Sequence, residues 1–276
     1  THAARSGEGE SRVIAPWVVL VLALAAVPAR AADPLAEAQR LFYDGRYAEA
    51  SAIAQTLSVD EGMLPVYEFR TAALHFQIRD ALGKAKDRSK AFNECAACRE
   101  QYDMFMRELR LGQNLAREAL KQNPKDPTAL YFLGKLDLNY VWLVLGTLGR
   151  KTGWNEFWEA RHSLDALLAG DPRHLRGKVA RAWIEYIVDT RMPWGTAWML
   201  GGGNKRKALA AMQEAASAQG EYYSQAEAVF GLWDMQVREG AFPAALVTAR
   251  RLAAQFPANR GVANFIDRYA KSQAAR

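Results

Sequence analysis

Apolar side chains recur at three- and four-residue intervals along most of this 276-residue chain. That is the spacing at which a helix presents one face. Leu246, Ala249, Leu252, Ala253 and Phe256 make one such stripe; Ala48, Ala52 and Leu57 make another, with Leu41 and Phe42 across a turn. Gly and Pro fall between the periodic segments, alanine is abundant and β-branched runs are scarce, all of which favours helices over strands. The pattern predicts helices near 34–43, 46–58, 64–81, 85–122, 127–147, 155–169, 173–190, 204–218, 221–239, 242–255 and 259–274.

The joints between these segments repeat. Gly45-Arg46-Tyr47-Ala48-Glu49-Ala50 returns as Gly240-Ala241-Phe242-Pro243-Ala244-Ala245, and more loosely at 155–160 and 203–208. Each copy has a turn residue, an aromatic or long side chain two positions on, and a small residue three further. Gly or Asn takes the turn, the long side chain packs back, and Ala lets two helices approach. Pro124, Pro172 and Pro257 each close an amphipathic helix, 17 residues after Arg107, Asn155 and Gly240. With Leu133-Gly134, this set resembles the tetratricopeptide repeat. The resemblance implies an all-α fold, a TPR-like α-solenoid of about five irregular helix pairs, with starts at 45, 107, 155, 203 and 240. Such pairs bury their apolar faces only by stacking, and the stack presents a concave binding face.

The N-terminus reads as an address. Arg5 and Arg12 precede an apolar run from Trp17 to Val27, and small residues follow at Ala29 and Ala31. These are the parts of a cleavable signal peptide, giving a segment 1–31 and a helical repeat domain 32–276. The apolar run is short of the roughly 20 residues of a comfortable span; a retained anchor is the alternative. No cysteine follows the cut, so a lipid-anchored form is not expected. The mature chain is expected to be soluble, in the periplasm or secreted, with no transmembrane span. The formal net charge is +6, from 36 Lys+Arg and 30 Asp+Glu. Bases and acids alternate, as in Arg107-Glu108 and Arg117-Glu118, instead of gathering into the stripe that nucleic acid requires.

Six of the eight tryptophans fall between 142 and 198. Trp154 and Trp158 stand at i, i+4 and share a helix face. With Trp194 and Trp198 they form the candidate partner or ligand surface, against the alternative that they are large core residues. The segment 191–204 is apolar and Gly-rich, yet Pro193 and Gly201-Gly202-Gly203 stop a helix there. Asn204 then reads as an N-cap, and with Lys205 it could hold an anion or carboxylate at the helix start, or simply cap a packed connector.

Gly202-Gly203-Asn204 followed by Ala208, together with Gly112, Asn123-Pro124 and Tyr131, is also similar to the T-component proteins of tripartite ATP-independent periplasmic (TRAP) transporters. That resemblance implies an envelope location and the carriage of an apolar or acidic ligand, in an oligomer with a central channel. Cys95 and Cys98 share a helix face and could close a disulfide in an oxidising compartment. Flanked by Asn93-Glu94 and Arg99-Glu100, they read as helix interior, and so as structural or incidental instead of redox or metal-binding. His162-Ser163 with Asp165 is a local coincidence on one amphipathic helix, not a triad. No catalytic residue, metal site or cofactor is expected. The sequence therefore points to a non-enzymatic envelope scaffold that binds a protein partner or its own copies. The rival is a periplasmic small-molecule carrier with a Trp-rich pocket.

Overall fold

The computed structural model describes residues 33–57, 63–191 and 202–274, and these are helical throughout, with no strand among them. Twelve α-helices follow in order: α1 (Pro34–Tyr43), α2 (Tyr47–Thr56), α3 (Leu64–Leu82), α4 (Arg88–Glu94), α5 (Ala96–Gln122), α6 (Pro127–Val141), α7 (Trp154–Gly170), α8 (Leu175–Arg191), α9 (Lys205–Ser217), α10 (Tyr222–Arg238), α11 (Phe242–Gln255) and α12 (Arg260–Ala274). Among the described residues no helix is long and apolar enough to cross a membrane.

Local chemistry sets the ends of these helices. Asp33 caps α1 by accepting the N–H of Leu35, and Asp126 caps α6 by accepting from Thr128 and Ala129, each with Pro at the first helical position. Gly45 and Gly240 take φ of +78° and +69°, in the left-handed region where a Cβ is disfavoured, and turn α1 into α2 and α10 into α11. Pro124, Pro172 and Pro257 lie just past α5, α7 and α11.

Each helix packs on its neighbour in sequence, and a second set of contacts skips along the chain. α1 touches α3, α3 touches α6, α6 touches α8 and α8 touches α10. This inner row is backed by α2, α5, α7, α9 and α11. Four apolar clusters run through the body, each bridging more than one pair: Phe69 and Ala73 join α3 to α1 and α2, while Leu74 and Ile78 join it to α5 and α6. No pair has a core of its own. At the crossing of α6 and α7, a Cβ added to Gly134 would lie 2.8 Å from Leu164 Cγ, so only glycine permits that approach.

The inner row also meets itself. Tyr43 at the end of α1 stacks on Tyr223 and Phe230 of α10 and tilts against Phe256. Asn259 Nδ2 donates to Tyr43 O at 2.6 Å, and Tyr223 Oη donates to Ala36 O at 2.7 Å.

Three local expectations are corrected. The single helix expected over 85–122 is broken at Cys95, which ends α4 and caps α5. Arg107, read as a repeat start, lies inside the 27-residue α5, because the joint of that pair falls between α3 and α5, around α4. In the third pair the turn is made by Gly153 at φ +93°, one residue before α7, and Asn155 is already helical. The apolar stretch 140–148 is the end of α6 widened into a π-helical turn, Trp142–Thr147, with Leu143, Val144 and Thr147 buried.

Candidate functional site

α5 and α7 both lie on α6, and between them a surface groove of about 650 Å³ stays open above Leu133. Arg117, Leu120 and Lys121 present one face of α5 to it. Asn155, Trp158, Glu159, His162 and Ser163, at helical spacing, present one face of α7. Trp158 packs its ring 5.7 Å from Phe157 and 5.8 Å from the imidazole of His162. Ser163 is almost fully buried at the edge of the groove.

A polar chain running from the surface inward supports this wall. Arg117 grips Glu159 with Nε at 2.9 Å and a terminal nitrogen at 2.5 Å, a two-pronged contact that fixes both planes. Behind them Asp137 of α6 is fully buried and accepts Gln113 Nε2 at 2.6 Å. Burial holds the Asp137 carboxyl well above the usual range, and the nearby charge of Glu159 pushes the same way, against Gln113 and Arg117.

A second charged group occupies the inner row, where Glu68 of α3, Lys135 of α6, Arg176 of α8 and Glu227 of α10 converge. Lys135 Nζ bonds Glu227 and stands 3.7 Å from Glu68; Arg176 stands 3.6 Å from Glu68 and 3.5 Å from Glu227. Burial pushes Glu227 up, but the charges of Lys135 and Arg176 outweigh it and hold it below its ordinary value. Burial likewise opposes the charged form of Lys135, and Glu227 and Glu68 reverse the balance and raise it. The Arg176 guanidinium lies 4.6 Å over the ring of Tyr131, whose buried hydroxyl has no hydrogen-bond partner among the described residues.

The structure divides the residues singled out from the sequence. Trp158 lines the groove. Trp154, four residues earlier, lines a separate apolar hollow of about 10 Å³ with Val141, Phe157 and Val188, room for a water at most. Trp194 and Trp198 lie outside the described residues. Trp142 and Trp183 pack edge-on at 5.2 Å. Asn204 caps α9, accepting Lys207 N–H at 2.9 Å. The carboxylate at that helix start belongs to the chain itself: Lys205 N–H donates to Asp189 at 2.7 Å, and Lys205 Nζ pairs with Glu239 at 2.7 Å. Asp165, the acid beside His162 and Ser163, is held by Arg181 Nε at 2.6 Å.

Cys95 and Cys98 are joined by a disulfide. The helix-interior reading is corrected, since Cys95 is the N-cap of α5 and its Sγ accepts the N–H of Cys98 at 3.1 Å. Among the described residues no group of three or more His, Cys, Asp or Glu side chains could hold a metal ion.

Sequence reasoning found Trp158 but missed Arg117, Lys121, Asp137 and the inner quartet. The α7 stripe 155, 158, 159, 162, 163 was available as a pattern. Its pairing with α5 depends on packing across α6.

The class these features define is an all-helical chain of successively packed helices carrying a groove of aromatic and charged side chains. No protein-family model matches the chain, and no curated protein matches it.

Proposed function

We propose that this chain is a non-enzymatic binding scaffold of the bacterial envelope, built as a TPR-like α-solenoid of five helix pairs (α1/α2, α3/α5, α6/α7, α8/α9, α10/α11) closed by α12. The alternation of an inner and a backing row supports that reading. In the row of α1, α3, α6, α8 and α10 the charges of Glu68, Lys135, Arg176 and Glu227 are already paired with one another. The contact surface is therefore assigned to the groove between α5 and α7. The groove carries the proposal because it joins a half-buried ring, Trp158, to Lys121 and His162 at its rim. An aromatic with a polar tip beside bases is the usual anchor for a protein segment bearing an apolar side chain and a carboxylate.

A second reading rests on one observation. The Tyr131 hydroxyl is buried beside Arg176 without a partner among the described residues, and such donors suit the carboxylate of a small ligand, as in a TRAP T-component-like carrier. Native mass spectrometry of the chain from its own envelope fraction separates the two. Co-isolated protein that disappears with Trp158→Ala supports the scaffold. A small molecule of fixed mass, retained by Trp158→Ala and lost with Tyr131→Phe, supports the carrier. Binding indifferent to both substitutions refutes both.

A further inference from the structure

Cys95 and Cys98 are the two cysteines of the chain, and they are placed unequally. Cys98 is fully buried, within the cluster formed by Phe92, Phe105 and Leu109. Cys95 is partly exposed, at the break between the seven-residue α4 and the 27-residue α5. The bond spans a separation of three residues. A disulfide closing so short a loop restrains the unfolded chain least of all, so stabilisation is a weak reason for this one. One reachable sulfur, one shielded sulfur and a short loop at a helix start are what thiol–disulfide exchange needs. The reachable sulfur takes the attack, and the shielded one stays close enough to close the bond again.

We propose that Cys95–Cys98 is an exchange-active disulfide whose reaction partner is a dithiol, with Cys95 the attacked sulfur and Cys98 the resolving one. A thiolate of the external dithiol attacks Cys95 Sγ. The new S–S bond forms as the Cys95–Cys98 bond breaks, and Cys98 leaves with the electron pair and takes a proton from water. The second thiolate of the dithiol then attacks its own chain's sulfur in the mixed disulfide. That closes the external disulfide and releases Cys95 as thiolate. Two electrons pass to this chain, and the dithiol is oxidised. The N–H of Cys98, which already points at Cys95 Sγ, is in place to hold the released thiolate. Read backwards, the same steps let the reduced pair receive a disulfide.

The reaction has a structural consequence. Cys95 is both the end of α4 and the start of α5, so reduction frees the joint by which α4 is held against α3 and α5.

The test uses the folded full chain and dithiothreitol as the dithiol. Expected first is reduction of the wild-type disulfide under native conditions, at a rate close to that of the urea-unfolded chain. With single cysteines, Cys98→Ser leaves Cys95 to be alkylated by iodoacetamide about tenfold or more faster than the Cys98 that Cys95→Ser leaves. Cys98→Ser also forms a mixed disulfide with a small aromatic disulfide reagent, and Cys95→Ser does not. A wild-type disulfide that dithiothreitol opens only after unfolding would overturn the proposal, and this holds even if neither variant folds. Equal alkylation of the two cysteines in folded variants would overturn the assignment of Cys95 as the attacked sulfur.

Discussion

Replacing Glu227 by Gln removes one of the two carboxylates that balance Lys135 and Arg176 in the inner row. In the native chain the side chains of Lys135 and Glu227 are 15% and 17% exposed, and Glu68 is 8% exposed, so water screens them poorly. With Glu227 neutral, two cations remain against Glu68 alone, at 3.7 and 3.6 Å. Breaking a buried pair costs about 3–5 kcal/mol, most of it from the charge left behind. Glu68 still compensates in part, which places the expected loss near the lower end, about 3 kcal/mol. For a chain of this size that lowers the Tm by roughly 6–12 °C. Urea unfolding followed by tryptophan fluorescence and by far-ultraviolet circular dichroism measures it, with coincident midpoints as the condition for reading a free energy. The paired change Lys135→Met with Glu227→Leu leaves Glu68 and Arg176 bonded and removes both other ions, so it should recover most of the loss. A Glu227→Gln loss below about 1 kcal/mol that fades further in salt would refute the reasoning. It would mean that the quartet is solvated like a surface pair.

Four further outcomes are expected. Burial holds His75 at about 3, neutral and bonded to Thr147 Oγ1 at 2.8 Å. The unfolded chain therefore binds a proton there that the folded chain refuses, and stability should fall as pH drops from about 6.5 toward 3, a slope that His75→Asn reduces in pH-resolved urea titrations. Asp137 works in the opposite sense: its raised value means the folded state holds the extra proton, and stability is lost as pH rises above about 4. Asp137→Asn, which keeps the Gln113 contact, should raise neutral-pH stability and flatten that loss. Ala50→Leu and Ala245→Leu, at positions with no exposed surface, should each cost about 1–3 kcal/mol by overpacking, and normal melting of both would refute the packing of their helix pairs. Gly134→Ala should cost a similar amount, about 1–3 kcal/mol, read in the same melts, because its Cβ would meet Leu164.

Most of the helical layout was legible in the sequence, because its signals are local. Gly45, Gly240, Asp126 and the three prolines act on residues beside them, and the apolar stripes name the buried faces. The break at Cys95 was not legible, since no Gly or Pro lies between 84 and 111 and only the packing of α4 on α3 and α5 decides where the helix ends. Half of the groove could have been read from the α7 stripe, but Arg117 reaches Glu159 across 42 residues and Asp137 is met only through α6. The quartet was least visible. Its four charges stand one to a helix, and Lys135 finds Glu227 92 residues away. The anion expected at Asn204 and Lys205 was legible as geometry, but nothing local names Asp189 as its occupant.

The bond from Asn259 to Tyr43 O joins residues 216 positions apart. In a row of helix pairs that touch only their neighbours, each end frays independently, and a damaged terminal unit leaves the middle standing. Here α10 and the turn between α11 and α12 rest on α1, so α1 cannot open without exposing Tyr43, Phe230 and Phe256 together. Removing α1 should therefore loosen α10 and the turn after α11, and hydrogen exchange should show α1 and α10 opening as one event. Such a contact demands a large loop closure, which makes folding slower than helix content alone suggests.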